Sequence, residues 1–174
     1  MKIKRKYTIL LALGILVIVS DQITKALILY KFRWLESIPV WPGFFNLTQI
    51  HNTGAALGIL ADANPIFRIP FFVVVPTVAL LAIATIFRKI SDGDLKLAIA
   101  LSLVVGGAFG NLIDRIYLGY VIDFLDFHWG EMYHFPAFNL ADSAICVGVG
   151  VLMFDLITEG HEKEGRKPNA STAI

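Results

Sequence analysis

The sequence predicts an all-α membrane protein: four transmembrane helices, with a small β-sheet on the outer (periplasmic) membrane surface. Three observations predict it. Of 174 residues, 56% are hydrophobic and only 17% charged, with a mean hydropathy of +0.69; a soluble domain has about 45–50% apolar and about 25% charged residues. The apolar residues gather into four blocks of about 20, the length that crosses a bilayer. The basic residues cluster before the first block, between the second and third, and after the fourth. Under the positive-inside rule those clusters share the cytoplasmic side.

The first helix is expected from Thr8 to Leu29, behind Lys2, Lys4, Arg5 and Lys6. It imitates a secretory signal but has no small-x-small cleavage site; Ser20-Asp21-Gln22 and Lys25 follow instead. The core before Asp21 is too short to span alone, so the helix continues and carries Asp21 and Lys25 near its outer end. As an i, i+4 pair with the acid first, these two can neutralise each other within the helix.

Residues 30–65 form an outer connection. Trp34, Trp41, Phe44 and Phe45 are the aromatic residues of a membrane–water interface. Trp41-Pro42-Gly43 signals a turn, and Phe44 to Ile50 reads as a strand that ends at Asn52-Thr53-Gly54. Asn52 offers an amide able to bind a peptide backbone, and Gly54 a special backbone conformation, although Asn-Thr-Gly is also an ordinary turn.

The second helix is expected from Ile66 to Phe87, and the third from Leu95 to Ile113, with Arg88, Lys89 and Lys96 between them. Gly106 and Gly110 make a small-xxx-small pattern for close helix approach. Asn111, Asp114 and Arg115 share a helical face, which either pins the following loop or contacts a substrate. In the second outer connection, residues 114–140, Tyr120 to His128 has strand character. Period two puts Asp123 on a face with Val121 and Leu125, and Asp126 on the other. The fourth helix is expected from Ala141 to Ile157, with Asn139 as a cap and Asp142 favouring the positive end of its dipole. Residues 1–160 read as one membrane domain, and residues 161–174 as a disordered cytoplasmic tail. Both termini then face the cytoplasm, and Asp123 and Asp142 meet at the outer surface.

An ionisable group at membrane depth is costly and marks function. When two carboxylates face each other, one retains a proton. The ionised member can take a proton from water while the protonated member hydrogen-bonds a peptide carbonyl, which hydrolyses a peptide without a covalent intermediate. The sequence leaves open which member is protonated. Other chemistries find less support. His128, Glu131 and His134 lack the His-Glu-x-x-His spacing of zinc proteases, no Gly-x-Ser-x-Gly elbow occurs, and Cys146 lies in an apolar stretch and reads as inert packing. No metal or other cofactor is expected. A net charge of +1 gives no case for nucleic acid. One rival reading is an ion-coupled transporter using the same acids as a relay, but the inner halves of the helices are almost wholly apolar. A second rival, a non-catalytic membrane assembly factor, would make the acids dispensable.

Five blocks in order carry a resemblance: Asp21-Gln22-Ile23-Thr24-Lys25, Asn52-Thr53-Gly54-Ala55-Ala56, Gly106 to Arg115, Val121-Ile122-Asp123-Phe124, and Phe138-Asn139-Leu140-Ala141-Asp142-Ser143. Over about residues 8–157 the chain resembles bacterial lipoprotein signal peptidases, the signal peptidase II family. No motif position departs, although Leu57 stands where many members have phenylalanine. The resemblance implies an aspartic endopeptidase of the bacterial inner membrane. Its substrate would be a diacylglyceryl-modified prolipoprotein, cut just before the lipidated cysteine. Asp123 and Asp142 match the catalytic pair. Asn52, Asn111, Arg115 and Asn139 match active-site polar residues, and Asp21 and Lys25 a structural pair. A globomycin-type inhibitor would be expected to block the site, membrane lipids to be partners, and the protein to be a monomer.

Overall fold

A computed structural model describes residues 4–54, 60, 63–130 and 133–165, with side chains to Thr158. In chain order the elements are α1 (Arg5–Lys31), β1 (Ser37–Trp41), β2 (Phe45–Asn52), α2 (Pro65–Lys89), α3 (Leu95–Tyr117), β3 (Val121–Trp129), β4 (Tyr133–His134) and α4 (Leu140–Gly165). Among the described residues, four helices are long and apolar enough to cross a membrane. Each extends somewhat beyond the span read from the sequence. Caps fix three of their starts: Asn64 Oδ1 accepts from Ile66 N, Asp94 Oδ1 from Leu97 N, and Asn139 Oδ1 from Asp142 N. At its far end α4 runs to Gly165, into the first residues of the stretch 161–174 read from the sequence as a tail. Residues 166–174 lie outside the described residues, as do Lys2, Ala55 to Leu57 and Glu131.

The central helix is α3. Half of its apolar span is buried, against 11% for each of the other three, and α1, α2 and α4 all pack on it. Small residues permit this. A Cβ on Gly106 would lie 2.9 Å from Val17 Cβ on α1, and one on Gly107 would overlap the Ala141 carbonyl at the start of α4. Gly106 and Gly110 therefore act in packing, as the small-xxx-small pattern predicts. Away from α3 the helices show large apolar side chains outward, including Leu16, Leu81 and Phe154, as lipid contact requires.

Lys6 departs from its reading as one of a basic cluster. It is 2% exposed, and its Nζ donates to the carbonyls of Phe87, Arg88 and Ile90 at 3.0, 3.0 and 2.7 Å. Its backbone N donates to Asp92 Oδ1. The ammonium thus closes the carbonyl end of α2, where a cation is electrostatically favoured.

At the opposite end of the bundle lies an antiparallel sheet in the order β1-β2-β3-β4. The expected strands are β2 and β3; β1 and β4 are additional. β1 contains Pro39; an edge tolerates a residue without an N–H, and β1 is the outermost strand. Gly43, at φ +79°, supplies the left-handed turn residue between β1 and β2. Ile28 of α1 packs with Ile122 and Phe124 of β3, fastening the sheet to the bundle.

Candidate active site

Asp123 sits near the start of β3, opposite Ile50 of β2, and is 2% exposed. Both oxygens accept an amide N–H: Oδ2 from Asn52 Nδ2 at 2.9 Å, and Oδ1 from Asn139 Nδ2 at 2.7 Å. Asp142 occupies the third position of α4. Its Oδ1 accepts from Asn111 Nδ2 at 2.7 Å, and its Oδ2 from Asn139 N at 3.3 Å, while Asp142 N donates to Asn139 Oδ1 at 2.9 Å. That reciprocal pair is a capping box with aspartate in place of glutamate. Asn139, fully buried, therefore holds one carboxylate through its side chain and the other through its backbone. One residue joins the last turn before α4 to the third residue of β3.

The side-chain amides in this ring are oriented by their other ends. Asn111 Oδ1 accepts from Lys25 Nζ at 3.0 Å, which turns its N–H toward Asp142. Asn52 Oδ1 accepts from Gly54 N at 3.0 Å, which turns its N–H toward Asp123. A reversed amide would put oxygen against carboxylate, so these second contacts fix the acidic site as an array of donors.

Lys25 is the hub beneath. Its Nζ lies 2.8 Å from Asp21 Oδ2 and 2.8 Å from Asp114 Oδ2, besides Asn111. Asp21 Oδ1 accepts Ala141 N at 3.0 Å, one of the N–H groups left free at a helix start. Asp114 accepts Ile122 N at 3.2 Å and Gln22 Nε2 at 2.9 Å. The Asp21–Lys25 pairing inside α1 is present, but it extends to α3 and, through Asp21, to α4. The polar face of α3 serves to pin: Asp114 holds β3, and Arg115 Nη2 donates to Gly54 O at 3.0 Å while its guanidinium stacks 4.5 Å from the Phe72 ring. Gln22, unremarked in the sequence beyond its place in the first block, joins this network.

Asp123 is pushed up to about 7. Burial is the main cause and the negative Asp142 the second, while the bonds from Asn52 and Asn139 and the charge of Lys25 pull the other way. Below about pH 7 Asp123 therefore keeps its proton. The carboxylates open onto a cleft of about 790 Å³, whose polar floor includes Asn52, Asn111 and Arg115. Its apolar walls come from the segment before α4 and from Ile145 and Cys146 on α4. Cys146 is exposed and lines this cleft, one turn beyond Asp142, rather than being packed inside. A water between the carboxylates would meet one base and one acid, the arrangement that hydrates a peptide carbonyl.

The remaining candidates lie apart. His128 and His134 stack with ring centroids 4.9 Å apart, and His134 Nδ1 lies 3.1 Å from Asp126 Oδ1. Glu131, the third member of that set, is outside the described residues. His51 is sandwiched between Trp34 and Tyr120, with centroids 5.8 and 4.0 Å away, and burial lowers its imidazole below the usual range.

Comparison with known proteins matches residues 13–158 to the family model described as signal peptidase (SPase) II. A lipoprotein signal peptidase of Geobacter sulfurreducens is 50% identical over 160 residues, covering 92% of this chain and 98% of that protein. One of Syntrophotalea carbinolica is 49% identical over 148 residues, covering 85% and 90%. A bacterial membrane enzyme solved by the in meso method at 2.3 Å resolution superposes with a TM-score of 0.78, at 32% identity and 94% coverage of each chain.

Proposed function

The chain belongs to the signal peptidase II family, and from that premise we propose that it is an aspartic endopeptidase whose reacting groups are Asp123 and Asp142. It is a membrane protein that removes the signal peptide from prolipoproteins. The ion-coupled transporter reading finds no support in these relatives. One observation carries the aspartic mechanism: two carboxylates share the fully buried Asn139, and the more buried one is raised to about 7. In the reaction the ionised carboxylate takes a proton from the bound water. The other donates its proton to the scissile carbonyl oxygen; as the gem-diol intermediate collapses it takes a proton back from a hydroxyl, while the first passes the proton gained from water to the leaving amine. Asn52, Asn111 and Asn139 keep both carboxylates in register, and Lys25 and Asp21 hold the helices that present them.

The substrate in this reading is diacylglyceryl-modified and is cut before the lipidated cysteine. The protein lies in the bacterial inner membrane, with the sheet end at the periplasmic surface and both termini in the cytoplasm. The cleft runs from the carboxylates to apolar residues of α4, so acyl chains can remain beside the helix while the peptide reaches the acids. Each CH₂ kept from water is worth about 0.8 kcal/mol, so two chains bind what a peptide alone would not. Matched substrates with and without the diacylglyceryl group test this, with the lipidated form cleaved much more efficiently. Equal efficiency would contradict lipid recognition and leave the acid pair standing.

A further inference from the structure

Between β4 and α4 the chain returns along β3 without forming a regular strand. Phe135 N donates to Phe127 O at 2.8 Å, and Phe138 N to Leu125 O at 3.1 Å. Phe138 O accepts from both Leu125 N and Phe124 N, at 2.8 and 3.0 Å. Phe138 therefore turns both backbone groups toward β3. In an extended antiparallel pairing the next residue turns its groups the opposite way, so Ala137 points its N–H and C=O away from β3. Among the described residues neither group has a hydrogen-bond partner.

Two facts make this gap more than an ordinary loop. Ala137 lines the same cleft as Asp123 and Asp142. It also holds the one unused N–H of residues 135–138, because Phe135 and Phe138 spend theirs on β3 and Pro136 has none. A bare strand edge in a cleft is a template for an extended peptide. We propose that the substrate peptide docks as a short added strand on this edge, one of its residues exchanging two hydrogen bonds with Ala137. Its C=O accepts from Ala137 N–H, and its N–H donates to Ala137 C=O. The proposal rests on the peptidase reading above and deepens it by naming the group that sets the register of the peptide. On either side the clamp ends, at Phe135, already bonded to β3, and at Asn139, whose N–H is bonded to Asp142. One substrate position is therefore held through its backbone, whatever side chain it carries.

The test is an ester scan of a lipidated substrate, replacing each backbone amide near the cleavage point in turn, apart from the scissile one. With the wild-type protein, two neighbouring esters stand out. The one that removes the N–H given to Ala137 C=O lowers kcat/KM about 3- to 10-fold, the cost of one neutral hydrogen bond. The next, which weakens the C=O bonded to Ala137 N–H, lowers it less, and the others have little effect. Ala137→Pro deletes an N–H that the fold does not use, so it removes the second penalty, keeps the first, and itself lowers kcat/KM for the all-amide substrate about 3- to 10-fold. Ala137→Gly, which keeps the N–H, preserves both. A scan in which no position stands out, or a second penalty that survives Ala137→Pro, overturns the proposal. Should Ala137→Pro fail to fold, the wild-type scan decides alone: a neighbouring sensitive pair supports the edge, and no sensitive position overturns it. If the wild-type protein fails to cleave the all-amide substrate, the peptidase reading itself has failed, and the edge with it.

Discussion

Asp123 is raised to about 7 because its charged form is buried and faces a second carboxylate. A raised carboxylate binds its proton more tightly folded than unfolded. Its contribution to stability is thus fully present below the unfolded value of 3.8 and is lost as pH rises through about 7. Activity follows the same proton: with one proton on the pair required, kcat/KM falls about tenfold per pH unit on the alkaline side of about 7. A pH profile flat to pH 9 would contradict that requirement. Lys25 supplies a second prediction. With Asp21 fully buried and Asp114 3% exposed, Lys25→Met leaves two buried carboxylates without their cation. Removing one partner of a buried ion pair costs about 3–5 kcal/mol, which thermal unfolding in detergent would register; a loss below about 1 kcal/mol would show that the hub is not needed. The acids themselves were legible in the sequence, since a carboxylate in an apolar chain stands out. The bridging role of Asn139 was not, because it depends on how closely β3 approaches the start of α4. Nor was that of Lys6, whose partners are plain carbonyls that no side chain marks.

The elements were legible in proportion to how strongly burial patterns them. Four long apolar runs gave the helices, and the alternation around Asp123 gave β3. By contrast β1 is exposed along its length and contains Pro39, so neither alternation nor composition marks it. Two residues of β4 are too few to carry a pattern. The contact that matters most for the site is between α3 and α4, where Gly107 meets the Ala141 carbonyl just before Asp142. Gly107→Ala must displace the start of α4, and overpacking of this kind costs about 1–3 kcal/mol. Cleavage is expected to drop at least about tenfold, while Gly150→Ala, with nothing within 4 Å of the new Cβ, leaves it near wild type. Full activity of Gly107→Ala would show that the position of Asp142 tolerates movement at this crossing.

Across the whole molecule, most of the buried polar and charged side chains lie where helices and sheet meet. α1 supplies Asp21 and Lys25, α3 supplies Asn111 and Asp114, β3 supplies Asp123, and the start of α4 supplies Asn139 and Asp142. Elements far apart in sequence are needed to assemble one acid pair, so a chain this short is spent largely on holding two carboxylates together at the end of an apolar bundle. The most direct measurement is cleavage of a lipidated prolipoprotein by the purified protein in the presence of EDTA, beside Asp123→Asn and Asp142→Asn. An amide keeps the size of the carboxylate but cannot pass a proton. The wild-type protein is expected to cut at full rate with the chelator present, and each folded variant to lose nearly all turnover. Substantial cleavage by either variant, or a wild-type activity that EDTA abolishes and zinc restores, would contradict the aspartic mechanism.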